Sequence, residues 1–454
     1  MSAASRRDGA HRAARSVGFG SAPSTGGPIP GSPDRRDAAA RASDALRHRT
    51  HETMRWVGSI QLVDFLLFAL MFVGTVPVLG DHASEIFLAA ATVLALFRRP
   101  RFDLGPLALI VPAFVVMLGY IGMISLFAEA DPLAVADWRL RLIRMIAVTV
   151  MIFVVATGRV DLRSAILGVA AMCLLNIPLF YAGLASDTYG GYLTGFFGDK
   201  NFAGLVYAIT GILATSLVRT VPHKALVWLT FAGPLWLTGS RTSLAGFALA
   251  AVWMAVGSRL NLAGKTALGL VMVWVVQVTS EDYSRVGVFS DRLGSDLLRS
   301  RIDAASQIKV EEAGFFGRGL GNAFVRIQDH SWFFHNSYWS ALVEGGWPWT
   351  VFLVAVTVLV LIRPFRGKAG PRLATAGGLG VVLLVTASRL GEVFYTVPWG
   401  LAIAFGLQAI MRARIPGEDP ETLPSHGVQV IGGHSGRRAA SISGTDPGRT
   451  GVRR

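Results

Sequence analysis

Cysteine and charge are both scarce in this sequence. Its 454 residues include a single cysteine, Cys173, so the chain cannot form an internal disulfide bond. Charged residues make up 16% of the chain, below the roughly 25% that is usual in soluble domains, and hydrophobic residues make up 52%. This composition excludes a water-soluble globular protein. Because Cys173 lies inside an apolar stretch, we expect it to be a buried packing residue.

Several acidic motifs are missing as well. No cluster of His, Asp and Glu has the spacing of zinc ligands, and no Asp-x-Asp motif indicates a metal-dependent sugar-nucleotide transferase. A glycosidase needs two acids across the bond it cleaves, and no such pair is evident. We therefore expect a protein that uses neither a metal ion nor another cofactor.

The sequence is instead rich in apolar stretches of about 20 residues, each long enough to cross the ~30 Å hydrocarbon core of a bilayer. We predict twelve transmembrane helices, at 56–79, 84–97, 104–127, 138–157, 163–185, 200–218, 224–238, 243–257, 263–279, 336–362, 373–388 and 398–412. One long connector, 280–335, separates the ninth helix from the tenth. The predicted fold class is an all-α polytopic membrane protein whose membrane domain spans 56–412.

The two ends of the chain have a different composition. Segments 1–55 and 413–454 are rich in Ala, Arg, Gly, Ser and Pro and contain no apolar run, which predicts two disordered tails. Basic residues concentrate in the tails and in alternate connectors, so the positive-inside bias places both tails in the cytoplasm and 280–335 on the outer face. The same bias explains the net charge of +14, and nucleic-acid binding is not indicated.

Three arginines do not fit this predicted topology. Arg139, Arg141 and Arg144 begin the fourth predicted helix on its outer side, where the bias disfavours them. Either they bind anionic headgroups or substrate there, or one of the twelve spans is miscounted.

Three polar clusters interrupt the apolar sequence, at 198–201, 238–243 and 334–338. Each is predicted to lie at the outer, N-terminal end of a helix that runs inward. Helix N-termini expose N–H groups and the positive end of the helix dipole, so clusters that carry Lys200, Arg241 and His335 predict an anion site, with phosphate as the natural ligand. The alternative is that the polar residues are ordinary helix caps and the cations contact lipid phosphates.

Arg241 is a stronger candidate for a functional residue than the other two cations. Apolar segments on both sides hold it within or at the edge of the bilayer, where inserting an ionisable residue costs ~2.5 kcal/mol or more. The outer connector supplies further candidates. An interfacial amphipathic helix is predicted over 283–303, and it carries Arg299 and Arg301. The alternating glycines of 317–321 are typical of a tight turn rather than of a phosphate-binding loop.

The order of these motifs resembles the O-antigen ligase and O-antigen polymerase family. The matching segments are Gly-Ser-Arg at 239–241, the arginine-bearing stretch 299–321 and, most specific, His-Asn-Ser-Tyr-Trp-Ser-Ala-Leu-Val-Glu-Gly-Gly at 335–346. A weaker match is the segment 196–203 around Asn201. The resemblance covers roughly 195–350 by motif and does not include the tails.

This resemblance implies a GT-C-like membrane glycosyltransferase that acts on the outer side of the cytoplasmic membrane. The donor would be a glycan on undecaprenyl diphosphate, displaced by an acceptor hydroxyl in a metal-independent, inverting reaction. Arg241 and Arg301 would hold the diphosphate, with Arg299 as a close rival to Arg301, and His335 would be the general base. The implied substrate-binding residues are Arg299, Lys200, Asn201, Asn336, Tyr338 and Glu344.

Two questions stay open from the sequence. A ligase and a polymerase differ only in the acceptor, which is the lipid A core, a protein or another surface molecule for a ligase and a second lipid-linked repeat for a polymerase. A polysaccharide transporter or glycolipid flippase, which would move the substrate without cleaving it, is the non-enzymatic alternative. Membrane lipids are expected partners in every case.

Overall fold

The computed structural model describes residues 60–73, 83–128, 137–281, 293–328, 330–366 and 370–414. Nearly all of both predicted tails lies outside the described residues, as does the first part of the amphipathic helix predicted over 283–303. The described residues all belong to one compact unit.

Most of the described residues are helical. The helices are α1 (Leu62–Leu70), α2 (Ala83–Leu96), α3 (Ile110–Phe127), α4 (Trp138–Ala156), α5 (Leu162–Tyr181), α6 (Lys200–Thr215), α7 (Val221–Leu237), α8 (Arg241–Val256), α9 (Leu262–Glu281), α10 (Leu293–Glu311), α11 (Ser337–Thr357), α12 (Pro371–Ala387) and α13 (Val397–Arg412). Short 3₁₀ turns at Gly105–Leu109, Gly195–Phe197 and Gly257–Arg259 flank α3, α6 and α9, and the π turn Val358–Ile362 extends α11.

Each of the twelve predicted helices coincides with one of these, and α10 is the helix of the outer connector. Three are long and apolar enough to cross a membrane by length and composition, namely Gly105–Phe127, Leu162–Tyr181 and Ser337–Ile362. The described residues are mostly helical, as the predicted fold class requires, while the number of spans stays a prediction. The connector also contains an unpredicted antiparallel hairpin of β1 (Phe324–Ile327) and β2 (His330–Phe333).

Small residues allow the helices to pack closely. A Cβ atom on Gly168 of α5 would lie 2.1 Å from the carbonyl oxygen of Phe65 in α1, so only glycine fits at this crossing. Cys173 on the same helix is fully buried, as expected, and its Sγ donates to Thr210 Oγ1 at 3.8 Å. Near the centre of the bundle, Tyr395 stacks on Trp349 with ring centroids 5.4 Å apart.

The glycine-rich segment 317–321 packs against a bend in α11. Gly346 has φ 65° inside this helix, and a Cβ atom there would lie 1.9 Å from the carbonyl oxygen of Phe315. The N–H of Gly319 donates to the carbonyl of Glu344 at 2.8 Å, and the N–H of Gly321 donates to the Glu344 carboxylate at 3.1 Å. These contacts confirm that 317–321 is a structural turn, which supports the bend.

Candidate functional site

A cavity of about 1180 Å³ lies where the N-terminal ends of α2, α4, α6 and α8 meet the segment that precedes α11. Strand β2, helix α10 and the loop between α12 and α13 complete its wall. Its charged or titratable lining residues include Glu85, Asp137, Arg141, Arg144, Asp199, Lys200, Arg241, Arg299, His335, Arg389 and Glu392. The three polar clusters of the sequence therefore share one cavity, and several helix dipoles point their positive ends at it.

At the start of α6, two of the predicted residues line the cavity. These residues are Lys200 and Asn201. Asp199, which precedes them, caps the helix by accepting from the N–H groups of Asn201 and Phe202 at 2.9 and 2.8 Å. The Lys200 ammonium lies 5.0 Å from the ring centroid of Tyr189, whose hydroxyl donates to Asp199 at 2.6 Å. Burial, and then the Asp199 carboxylate, raise the pKa of Tyr189. This hydroxyl is therefore a hydrogen-bond donor at neutral pH.

At the start of α8, Arg241 is the first helical residue and lines the cavity. Ser240 occupies the cap position but makes no side-chain bond to a helix N–H, because its hydroxyl donates to Ser243 Oγ at 2.8 Å. The starts of α6 and α8 are in close contact, since a Cβ atom on Gly204 would lie 2.6 Å from the Ser240 Cβ. This contact holds two cation-bearing helix ends side by side.

His335 also lines the cavity, and it is not the cap of α11. That role belongs to Asn336, whose side chain accepts from the N–H groups of Tyr338 and Trp339 at 2.9 and 3.2 Å. The Nδ1 atom of His335 is buried and has no hydrogen-bond partner among the described residues. Burial lowers the pKa of His335 to about 4; the positive charge of Arg299 contributes to this shift and Asp199 opposes it. The imidazole is therefore neutral at physiological pH.

The structure separates Arg299 from Arg301. Arg299 lines the cavity and donates from Nη2 to the carbonyl of Arg389 at 2.6 Å. Arg301 is exposed and does not line the cavity, because a step of two residues along a helix turns the side chain by roughly 200°. Burial raises the pKa of Asp303, with Arg299 and Arg389 opposing the shift, so these three side chains lie near one another. The structure therefore places Arg299, and not Arg301, in the cavity lining, while the role of each in binding the diphosphate stays a prediction.

Three further residues predicted to bind substrate do not line the cavity. Asn336 caps α11, and the Tyr338 hydroxyl donates to the carbonyl of Leu384 at 2.8 Å. Glu344 is 3% exposed and forms an ion pair with Arg141. All three side chains hold the helices around the cavity, and their predicted contact with substrate stays a prediction.

The loop between α12 and α13 belongs to the cavity, which the sequence did not predict. Its residues Arg389 to Glu392 line the cavity. The loop is fixed to the start of α11, because Ser340 donates to the carbonyl of Gly391 at 3.0 Å and a Cβ atom on Gly391 would lie 1.9 Å from the carbonyl oxygen of Phe334. The sequence feature that could have indicated this loop is a short polar break between two apolar helices. It lies at the same predicted end of the bundle as the other polar clusters.

Internal ion pairs account for two of the three arginines that do not fit the predicted topology. Arg141 pairs with Glu344 and, at 2.9 Å, with Glu392, while Arg144 pairs with the other oxygen of Glu392 at 3.1 Å. Arg139 points elsewhere, with its guanidinium 5.3 Å from the ring centroid of Trp138. Arg141 and Arg144 are therefore part of the cavity wall, and their positive charge is balanced locally.

Within the described ranges, no group of three or more His, Cys, Asp or Glu side chains is placed to hold a metal ion. A scan of the chain against protein-family models finds no match, and a search of curated proteins finds none either. The family resemblance consequently depends on the motif residues quoted above.

Proposed function

We propose that this protein transfers a glycan from undecaprenyl diphosphate to an acceptor hydroxyl, as an O-antigen ligase-like enzyme or polysaccharide polymerase. The observation that carries the proposal is the convergence of four cations, Lys200, Arg241, Arg299 and Arg389, in one cavity with a neutral histidine. The finer architecture belongs to the same proposal: twelve spanning helices in a GT-C-like arrangement in a bacterial cytoplasmic membrane, both tails in the cytoplasm and the cavity on the outer face.

The four cations, which we call the cationic wall, suit a diphosphate leaving group. Of the acidic lining residues, Asp199 lies on this side, and its carboxylate is committed to capping α6. Arginine binds phosphate oxygens in a bidentate manner, and helix N-termini attract anions. The start of α8 has no side-chain cap, which leaves room for a phosphate oxygen to accept from its N–H groups.

His335 suits the role of general base. In the proposed step the acceptor oxygen attacks the anomeric carbon and its proton passes to the imidazole. The bond from that carbon to the diphosphate oxygen breaks, and the electron pair leaves with the diphosphate. A neutral imidazole can accept this proton. The negative charge of a bound diphosphate raises the pKa of a nearby histidine, so donor binding strengthens the base.

The test uses the purified full chain with a lipid-linked glycan and candidate acceptors, in the presence of EDTA. Release of free undecaprenyl diphosphate together with a glycosylated acceptor supports a transferase. Movement of the intact lipid-linked glycan across proteoliposomes, without cleavage, would instead identify a transporter or flippase. A strict requirement for added divalent metal would contradict a site whose charge compensation comes from arginines.

A further inference from the structure

The cavity has a second side whose charge differs from that of the cationic wall. It is formed by Glu85 of α2, Asp137 and the two arginines at the start of α4, and Glu392 of the loop after α12; we call these five residues the mixed wall. Three carboxylates face two guanidinium groups here. A diphosphate would be repelled by the acids, so the mixed wall needs a different ligand.

The ion pairs of the mixed wall leave it little free positive charge. Glu392 binds Arg141 through one carboxylate oxygen and Arg144 through the other, at 2.9 and 3.1 Å. The buried carboxylate of Glu344 binds the other terminal nitrogen of Arg141 and accepts from the N–H of Gly321. The pKa of Glu392 is lowered, mainly by the charge of Arg141, so its carboxylate stays ionised. The network is rigid because every member is held by at least one other.

Two members of this network remain accessible from the cavity. The Glu392 side chain is 43% exposed and that of Arg144 is 37% exposed, whereas Arg141 is 14% exposed. An ionised carboxylate accepts and a guanidinium donates, and a sugar hydroxyl can do both at once. Apolar side chains of Leu140 and Ile143 in the same lining offer surface for the apolar face of a sugar ring.

We propose that the mixed wall is a glycan-binding subsite, in which Glu392 and Arg144 recognise hydroxyl groups of a saccharide beside the diphosphate site. The inference rests on the proposed function, because it assumes that the cationic wall takes the diphosphate. The same chemistry serves two sources, a sugar of the lipid-linked donor or a sugar of the acceptor.

The test compares Glu392→Gln with the unaltered protein in lipid nanodiscs. Two binding probes are used, undecaprenyl diphosphate without sugar and undecaprenyl-diphosphate-linked glycan, and the KM for a saccharide acceptor is measured in parallel. Charge-assisted hydrogen bonds predict a loss of about tenfold or more for the saccharide ligand. The sugar-free diphosphate should bind unchanged or more tightly, since removal of a carboxylate leaves the arginines less neutralised.

The two binding probes and the acceptor KM together distinguish a donor sugar from an acceptor sugar. Weaker binding of the glycan-bearing probe places a donor sugar at the mixed wall, and a raised acceptor KM with both probes unchanged places the acceptor there. If neither quantity changes, or if the sugar-free probe weakens in parallel, the subsite is overturned. If Glu392→Gln does not fold, Arg144→Gln replaces it, since it leaves the Arg141 pairs intact, and it should weaken the saccharide ligand more than the sugar-free probe.

Glu312→Gln is the matched control, because this exposed carboxylate pairs with Arg318 and does not line the cavity. All three ligand measurements should stay at the unaltered value in this variant. Failure of the proposed function is recognised separately: the unaltered protein would then bind neither lipid probe and release no undecaprenyl diphosphate, and the subsite would be rejected with it.

Discussion

At the scale of single residues, Arg299 and Arg301 form a natural pair of test and control. Arg299→Ala should lower the rate of undecaprenyl diphosphate release by about 100- to 1000-fold, as loss of a positioned charge contact to a leaving group does. Arg301→Ala should retain the unaltered rate, because this side chain is outside the cavity lining. Arg299→Lys should rescue only part of the activity, since a point charge lacks the planar fork of arginine. Equal losses in both alanine variants would contradict the assignment.

His335 gives a prediction about pH. Since its pKa is lowered to about 4, the neutral base is present above that pH and is lost as the pH falls through it. The kcat/KM of transfer, which reports the free enzyme, should therefore fall near pH 4 rather than near 6.5. The kcat profile should fall at a higher pH, because the bound diphosphate raises the pKa. A kcat/KM profile that is flat across this range would show that His335 is not the general base.

The substitution His335→Asn tests the same role without disturbing the helix. Asn336 caps α11, so the start of this helix does not depend on the imidazole. Transfer should fall by about 100- to 10,000-fold while binding of undecaprenyl diphosphate is retained, because the cationic wall is unaltered. Loss of binding together with the rate would place His335 in the diphosphate site instead.

At the scale of elements, the bend of α11 should depend strictly on glycine. Gly346→Ala would place a Cβ atom 1.9 Å from a backbone oxygen, at a φ that side chains rarely adopt, and should lower the free energy of unfolding by about 1–3 kcal/mol or more. Gly269→Ala is the control, because this α9 glycine has open space around the added Cβ. Thermal unfolding in detergent should show a lower midpoint for the first variant only.

The helices themselves were largely predictable from the sequence, because hydropathy and helix caps act over a few residues. A helix lies within each of the twelve predicted ranges, and of the range 56–79 the structure describes residues 60–73, which contain α1. The hairpin β1–β2 was not predicted, since its two four-residue strands are too short for a clear alternation. Whether every apolar helix crosses the bilayer remains a prediction.

At the scale of the whole molecule, the predicted orientation can be tested with introduced cysteines. Gln307→Cys on the exposed side of α10 should react with a membrane-impermeant maleimide in intact cells. His223→Cys, at the start of α7, should react only after permeabilisation, because its connector is predicted to be cytoplasmic. Cys173 can remain, since it is fully buried. Labelling with the opposite preference would invert the topology and place the cavity in the cytoplasm.

Local patterns in the sequence predicted the helical, apolar character of the protein and the polar clusters around Lys200, Arg241 and His335. These are local properties that depend on neighbouring residues. The tertiary structure decided which other residues join them, because ion pairs such as Arg144 with Glu392 connect positions 248 residues apart. It also brought Arg299 rather than Arg301 into the cavity lining, since the rotation of α10 against its neighbours selects which face meets the cavity. Packing likewise pairs Glu344 with Arg141, so that its side chain does not line the cavity.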